Sequence, residues 1–170
     1  LEGAAVAWIG MRQGRWGARA FGYALQFAAG IAFLVDAAGP VGPTPVLNSL
    51  CLGCLFLALG GFFCAGAIDR HRDDLPEWDR PVAALLTIWG AAWWFGGGLH
   101  EIHRHVDAAL RSHAGLAFVA ASCIAFRVAA DRLRWARLRL TWPVLYAAVL
   151  WQLGYDLSHP GRPSANLGWL

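Results

Sequence analysis

The densest set of groups able to do chemistry is the run Leu99-His100-Glu101-Ile102-His103-Arg104-His105-Val106-Asp107. If a helix continues through it, His100, His103 and Asp107 fall at i, i+3, i+7 on one face, and Glu101 and His105 pair at i, i+4 on another. Neutral imidazole and carboxylate suit a divalent metal such as zinc, so His100, Glu101, His103 and His105 form a candidate ligand or metal site. The same histidines could instead form a proton-responsive cluster, since imidazole titrates near neutral pH. No other cofactor is evident. A second feature is Cys51-Leu52-Gly53-Cys54, a C-x-x-C pair one turn into a helix. A helix N-terminus favours the reactive thiolate, which makes Cys51 and Cys54 candidate redox residues of a membrane thiol-disulfide oxidoreductase. No second cysteine pair stands in the long loop from His100 to His113, and packing of free cysteine as a small hydrophobe is the better account of the four cysteines.

The elements that must position these groups are set by composition. In 170 residues, 58% are hydrophobic and 15% charged, with mean hydropathy +0.44. That apolar content exceeds what one small water-soluble core can bury. It excludes a disordered chain, a disulfide-stapled secreted mini-protein and a nucleic-acid-binding module. The expected fold is all-α: a polytopic transmembrane helix bundle with five complete spans plus partial spans at both ends. The whole of 1–170 reads as a single transmembrane region. Its partners are the lipid bilayer and other helices of the same longer chain, with no nucleic acid.

Charge-free intervals serve as the ruler, because about 20 apolar residues cross roughly 30 Å of hydrocarbon and a central charge costs a few kcal/mol. The first interval runs Ala20 to Val35. The second lies within Ala37 to Ile68, with Pro40, Pro43 and Pro45 making its opening a turn, so that the helix begins near Val46 or Leu47. The third runs Pro81 to about Leu99, where Gly96, Gly97 and Gly98 offer an end. The fourth covers Ala114 to Phe126, and the fifth Leu140 to Tyr155. The charge-free stretch Gly3 to Met11 and the apolar run Asn166 to Leu170 read as partial spans, and both termini read as cut from a longer chain.

Arginine counting sets the orientation. Arg12, Arg15, Arg19, Arg70, Arg72, Arg80, Arg127, Arg132, Arg134, Arg137 and Arg139 fall on one side, and Arg104, Arg111 and Arg162 on the other. Loops 11–19, 69–80 and 131–139 are therefore expected in the cytoplasm. Five histidines, His100, His103, His105, His113 and His159, then lie outside. Trp16, Trp78, Trp135 and Trp142 fall at the inner interface, where amphipathic rings are favoured. The absence of lysine, with abundant Ala and Gly, points to a GC-rich bacterial genome and hence to the bacterial inner membrane. Helix association needs close backbone approach or interhelical hydrogen bonds. Glycines such as Gly22, Gly30, Gly53, Gly60, Gly61 and Gly97 would supply the first, and Gln26, Asn48, Thr87, Ser122 and Gln152 the second.

The run from Glu2-Gly3-Ala4-Ala5 through Trp8-Ile9-Gly10-Met11-Arg12-Gln13, then Phe21-Gly22, Leu25-Gln26 and Ala29-Gly30, resembles bacterial membrane proteins grouped as domain of unknown function 2339. Leu47-Asn48, Trp89-Gly90-Ala91-Ala92-Trp93-Trp94 and Gly98-Leu99-His100-Glu101-Ile102 are similar to that family's helix ends. The resemblance implies a long, many-helix inner-membrane protein; since the family's activity is not established, no catalytic residue is carried over from it. Glu101, an acid beside the bilayer, is the first position to probe. The expected role is that of a structural or envelope-related multi-pass segment. The alternatives are a periplasm-facing metal or ligand site in an envelope enzyme or transporter and, third, the thiol-disulfide oxidoreductase.

Overall fold

A computed structural model describes residues 1–36 and 42–158. Its elements are α1 (Glu2–Arg12), α2 (Trp16–Asp36), α3 (Ser49–Arg70), α4 (Asp79–His105), α5 (Arg111–Arg132), a 3-10 segment (Ala136–Thr141) and α6 (Trp142–Ser158). Four of them, α2 to α5, are long and apolar enough to cross a membrane. The chain is therefore an all-helical protein with several candidate spans, as its composition requires. The fifth expected span is α6, whose 17 residues reach about 25 Å, short of a typical hydrocarbon core. The N-terminal partial span is α1, 11 residues long. The C-terminal partial span, Pro40, His159 and Arg162 lie outside the described residues.

Several helix boundaries differ from expectation, among them those of α5, which runs Arg111–Arg132 rather than 114–126. α2 begins at Trp16, which carries Arg19 into its first turn. α4 does not stop at Gly96–Gly98 but continues to His105. The reason is local: a Cβ on Gly97 would stand 2.6 Å from the Cβ of Cys54 on α3, so this glycine admits a neighbour instead of ending a helix. In hydrocarbon an unbroken ladder also keeps the backbone groups paired, which outweighs the weak helix propensity of glycine.

The chain forms two compact units, 1–105 and 106–170. In the first, α1 and α2 make an antiparallel hairpin through Gln13-Gly14-Arg15. Gly14 sits at φ +65°, in the left-handed region that glycine enters without steric cost. The N–H groups of Gln13, Gly14 and Arg15 donate to Ile9, Met11 and Gly10, which satisfies the carbonyls at the end of α1. The helices touch along Gly3, Ala7 and Gly10, one face by spacing. A Cβ on Gly3 would lie 2.8 Å from the Gly22 carbonyl oxygen, one on Gly10 would lie 2.6 Å from the Arg19 nitrogen, and one on Gly22 would overlap the Ala7 backbone.

α3 and α4 pair in the same way. Gly61 lies against Leu86 and Gly90, Ala58 against Gly90, and Cys54 against Gly97. Partners rise along α4 as positions fall along α3, which marks an antiparallel pair. Ala58, Cys64, Ala65, Ala83 and Leu86 are fully buried. α2 meets α4 through long side chains: Trp89 packs edge-on to Phe27, and Trp93 edge-on to Phe33, with ring centroids 5.1 and 5.6 Å apart. Facing outward are Phe21, Ile31, Leu34 and Val35 of α2, Phe56 and Phe63 of α3, and Leu85 and Ile88 of α4. Water would penalise such exposed rows; lipid tails solvate them.

In the second unit the 3-10 segment folds back on α5 and buries Leu138, while Ala130 of α5 is also buried. Asp131 accepts from Arg127 Nε at 2.9 Å and from Arg139 Nη2 at 2.8 Å, which ties this arginine-rich turn to the end of α5.

Gly22→Ala is expected to lower the unfolding free energy of the detergent-solubilised protein by about 1–3 kcal/mol, because the methyl group forces α1 and α2 apart. Gly96→Ala is the control: nothing lies within 4 Å of its Cβ position, so stability should hold or rise. Equal effects at both sites would contradict the packing described.

Candidate functional site

Glu101 is the centre of the polar groups at one end of the first unit. It lies in the last turns of α4, and only 7% of its surface is exposed. Its Oε1 accepts from Asn48 Nδ2 at 2.7 Å and its Oε2 from the Val46 backbone N–H at 3.0 Å. Asn48 is the N-cap of α3: its Oδ1 accepts from the Cys51 N–H at 2.8 Å, and its Nδ2 also donates to the Thr44 carbonyl at 3.1 Å. One amide therefore joins both groups singled out in the sequence, the acidic histidine-rich end of α4 and the first turn of the C-x-x-C helix. Val46 adopts φ +62°, strained for a β-branched residue. The bond from its N–H to a buried carboxylate helps to hold that geometry.

The other candidate ligands do not converge with Glu101 as a metal shell. His105 Nε2 lies 3.5 Å from Glu101 Oε2, the i, i+4 neighbour that helical spacing anticipates. His100 and His103 are exposed. Among the described residues no group of three or more His, Cys, Asp or Glu stands where it could hold a metal ion. Cys51 and Cys54 are free thiols, Cys51 partly buried and Cys54 buried beneath Gly97. Of the hydrogen-bonding residues anticipated inside the bundle, Gln26 donates to the Leu57 carbonyl at 3.1 Å and Asn48 acts as above. Thr87 instead bonds back to Ala83 within its own helix. The side chain of Gln152 lies outside those described.

The opposite end holds a cluster that the sequence reading missed. Arg19 Nη2 stands 3.3 Å from Asp79 Oδ2, with the two side chains 3% and 0% exposed. Tyr23 donates its hydroxyl to Asp79 Oδ1 at 3.2 Å, and the Arg19 guanidinium lies 5.6 Å from the centre of the Trp78 ring. Arg19 and Asp79 had the look of loop charges, one among three arginines and the other in an acidic run. The available signal was Pro81, which fits a first helical turn and makes Asp79 the opening residue of α4. At 3.3 Å the contact is longer than the 2.7–2.9 Å usual for charge-assisted bonds. Removing one partner of such a pair would leave the other charge buried and uncompensated.

Comparison with known proteins returned no matching family model, no matching curated protein and no matching solved structure.

Glu101→Ala removes the acceptor for both the Asn48 amide and the Val46 N–H. A loss of about 1–3 kcal/mol in unfolding free energy is expected, together with faster alkylation of Cys51 by a water-soluble maleimide as the first turn of α3 loosens. Unchanged stability and unchanged alkylation would show that the carboxylate does not hold this end of α3.

Proposed function

We propose that the chain is a multi-pass segment of the bacterial inner membrane with a structural, envelope-related role. The observation that carries this reading is the use made of the buried polar groups. Glu101 and Asn48 join α4 to α3, Arg19 and Asp79 join α2 to α4, and Gln26 joins α2 to α3. Each serves helix association, the task that polar residues perform in a medium where apolar contact gives no drive. Four apolar helices support the bilayer setting. The arginine asymmetry supports cytoplasmic placement of loops 11–19, 69–80 and 131–139. The likeness to domain of unknown function 2339 rests on the residues quoted above and fits a many-helix architecture without a carried-over activity.

Alkaline carbonate extraction and reporter fusions test the reading together. The full chain should stay in the membrane pellet. A phosphatase fusion in the turn around Arg134 should be inactive, and one in the 106–110 turn active. Extraction into the supernatant, or an active phosphatase at Arg134, would overturn it.

A further inference from the structure

Between 127 and 139 the chain carries five arginines, Arg127, Arg132, Arg134, Arg137 and Arg139, and a single acid, Asp131. The segment 69–80 has the reverse balance, three arginines against five acids. The arginine turn is ordered as well as charged. Asp131 binds Arg127 and Arg139 at 2.9 and 2.8 Å, so its one negative charge is taken up inside the turn and the two ends of the segment are held together. Leu138 is buried, which keeps the 3-10 segment on α5. Arg132 and Arg134 stay exposed, and Leu133 between them is 49% exposed.

The backbone supplies a second observation. α5 closes with the Leu133 N–H donating to the Ala129 carbonyl and the Trp135 N–H to the Ala130 carbonyl, both at 2.8 Å. Arg134 stands between these donors at φ +52°, the left-handed position after a helix end that glycine fills without steric cost. An arginine here takes on backbone strain and gains an exposed cation. α5 is long and apolar enough to cross a membrane, so its end falls at the level of the headgroups. Guanidinium groups bind phosphate through paired N–H donors, and basic clusters directly beside a spanning helix attract anionic lipid. An exposed leucine between two cations matches acyl carbons beside a phosphate, whereas a soluble polyanion has no use for it. We infer that the turn 127–139 is a binding surface for anionic phospholipid, with Arg132 and Arg134 on the phosphate and Leu133 among the first acyl carbons. The inference rests on the bilayer reading of α5, which carbonate extraction tests separately.

The test is a titration of the purified full chain in detergent, read as the shift in thermal unfolding midpoint, because a ligand that binds only the folded state stabilises it. The probes are dioleoyl phosphatidylglycerol, dioleoyl phosphatidylcholine, inorganic phosphate and a short RNA oligonucleotide. The glycerol lipid should saturate at a concentration about tenfold below the choline lipid. Arg132→Gln and Arg134→Gly should each weaken the glycerol lipid about fivefold and leave the choline lipid unchanged. Arg134→Gly should at the same time hold or raise the lipid-free midpoint, since glycine relieves the strain; an arginine with a purely structural role would not lose lipid affinity while stability holds. Arg72→Gln is the control: it removes an arginine of the 69–80 segment that is 62% exposed, and it should bind the glycerol lipid like the parent. The proposal is overturned if the two lipids act alike, if phosphate or RNA reproduces the saturable shift of the glycerol lipid, if both turn variants bind that lipid like the parent, or if Arg72→Gln weakens it as much as they do.

Discussion

The ion pair between Arg19 and Asp79 is the constraint on which the first unit depends. α2 and α4 are separated in sequence by the whole of α3, and they meet through long side chains rather than by close backbone approach. Two opposite charges, each almost without exposed surface, tolerate few relative positions of the helices that carry them. A sliding displacement of one turn, about 5.4 Å, would leave both charges buried without a partner, the costly state for any ionised group in an apolar medium. Tyr23 adds a third contact to the same carboxylate, and Trp78 covers the guanidinium.

The same logic appears at the other end of α4. Twenty-two residues separate Asp79 from Glu101, which at 1.5 Å per residue is about 33 Å, close to the thickness of the hydrocarbon layer. The helix therefore presents a buried acid near each boundary. One is tied to the start of α2, the other to the start of α3. Between these two ties the contacts are of a different kind. Gly61 and Gly90 let α3 and α4 approach closely, and Trp89 and Trp93 fill the wider gap to α2. Polar groups fix the ends while small and aromatic residues fill the middle, which suits a solvent where apolar burial alone gives no reason for helices to associate.

Much of this was legible in the sequence because bilayer thickness limits what a charge-free interval can be. The intervals around Ala20–Val35 and Ala114–Phe126 located α2 and α5, and the proline-rich opening before α3 placed its start within two or three residues of Ser49. Gln26, Asn48 and the glycines of α3 were recognisable as contact residues because lipid offers polar groups no other partner. The rest turned on geometry that composition does not carry. Gly97 read both as a contact glycine and, with Gly96 and Gly98, as an offered helix end; the contact is what the structure has, with Cys54 in the space that Gly97 leaves. Glu101 drew attention as an acid beside the bilayer, and its i, i+4 neighbour His105 is in place, but its hydrogen-bond donors come from the distant segment Val46–Asn48. The burial of Arg19 and Asp79 escaped notice because each stands among exposed residues of its own charge.

The most direct test of the two-ended anchoring is a double-substitution cycle on the ion pair, Arg19→Met and Asp79→Leu, measured as unfolding free energy in lipid. Each single change leaves a buried charge alone and should cost about 3–5 kcal/mol, whereas the double change, which removes both charges and keeps apolar volume, should recover most of that loss. If the two single losses simply add in the double variant, the pair does not set the register of α2 against α4 and the account fails.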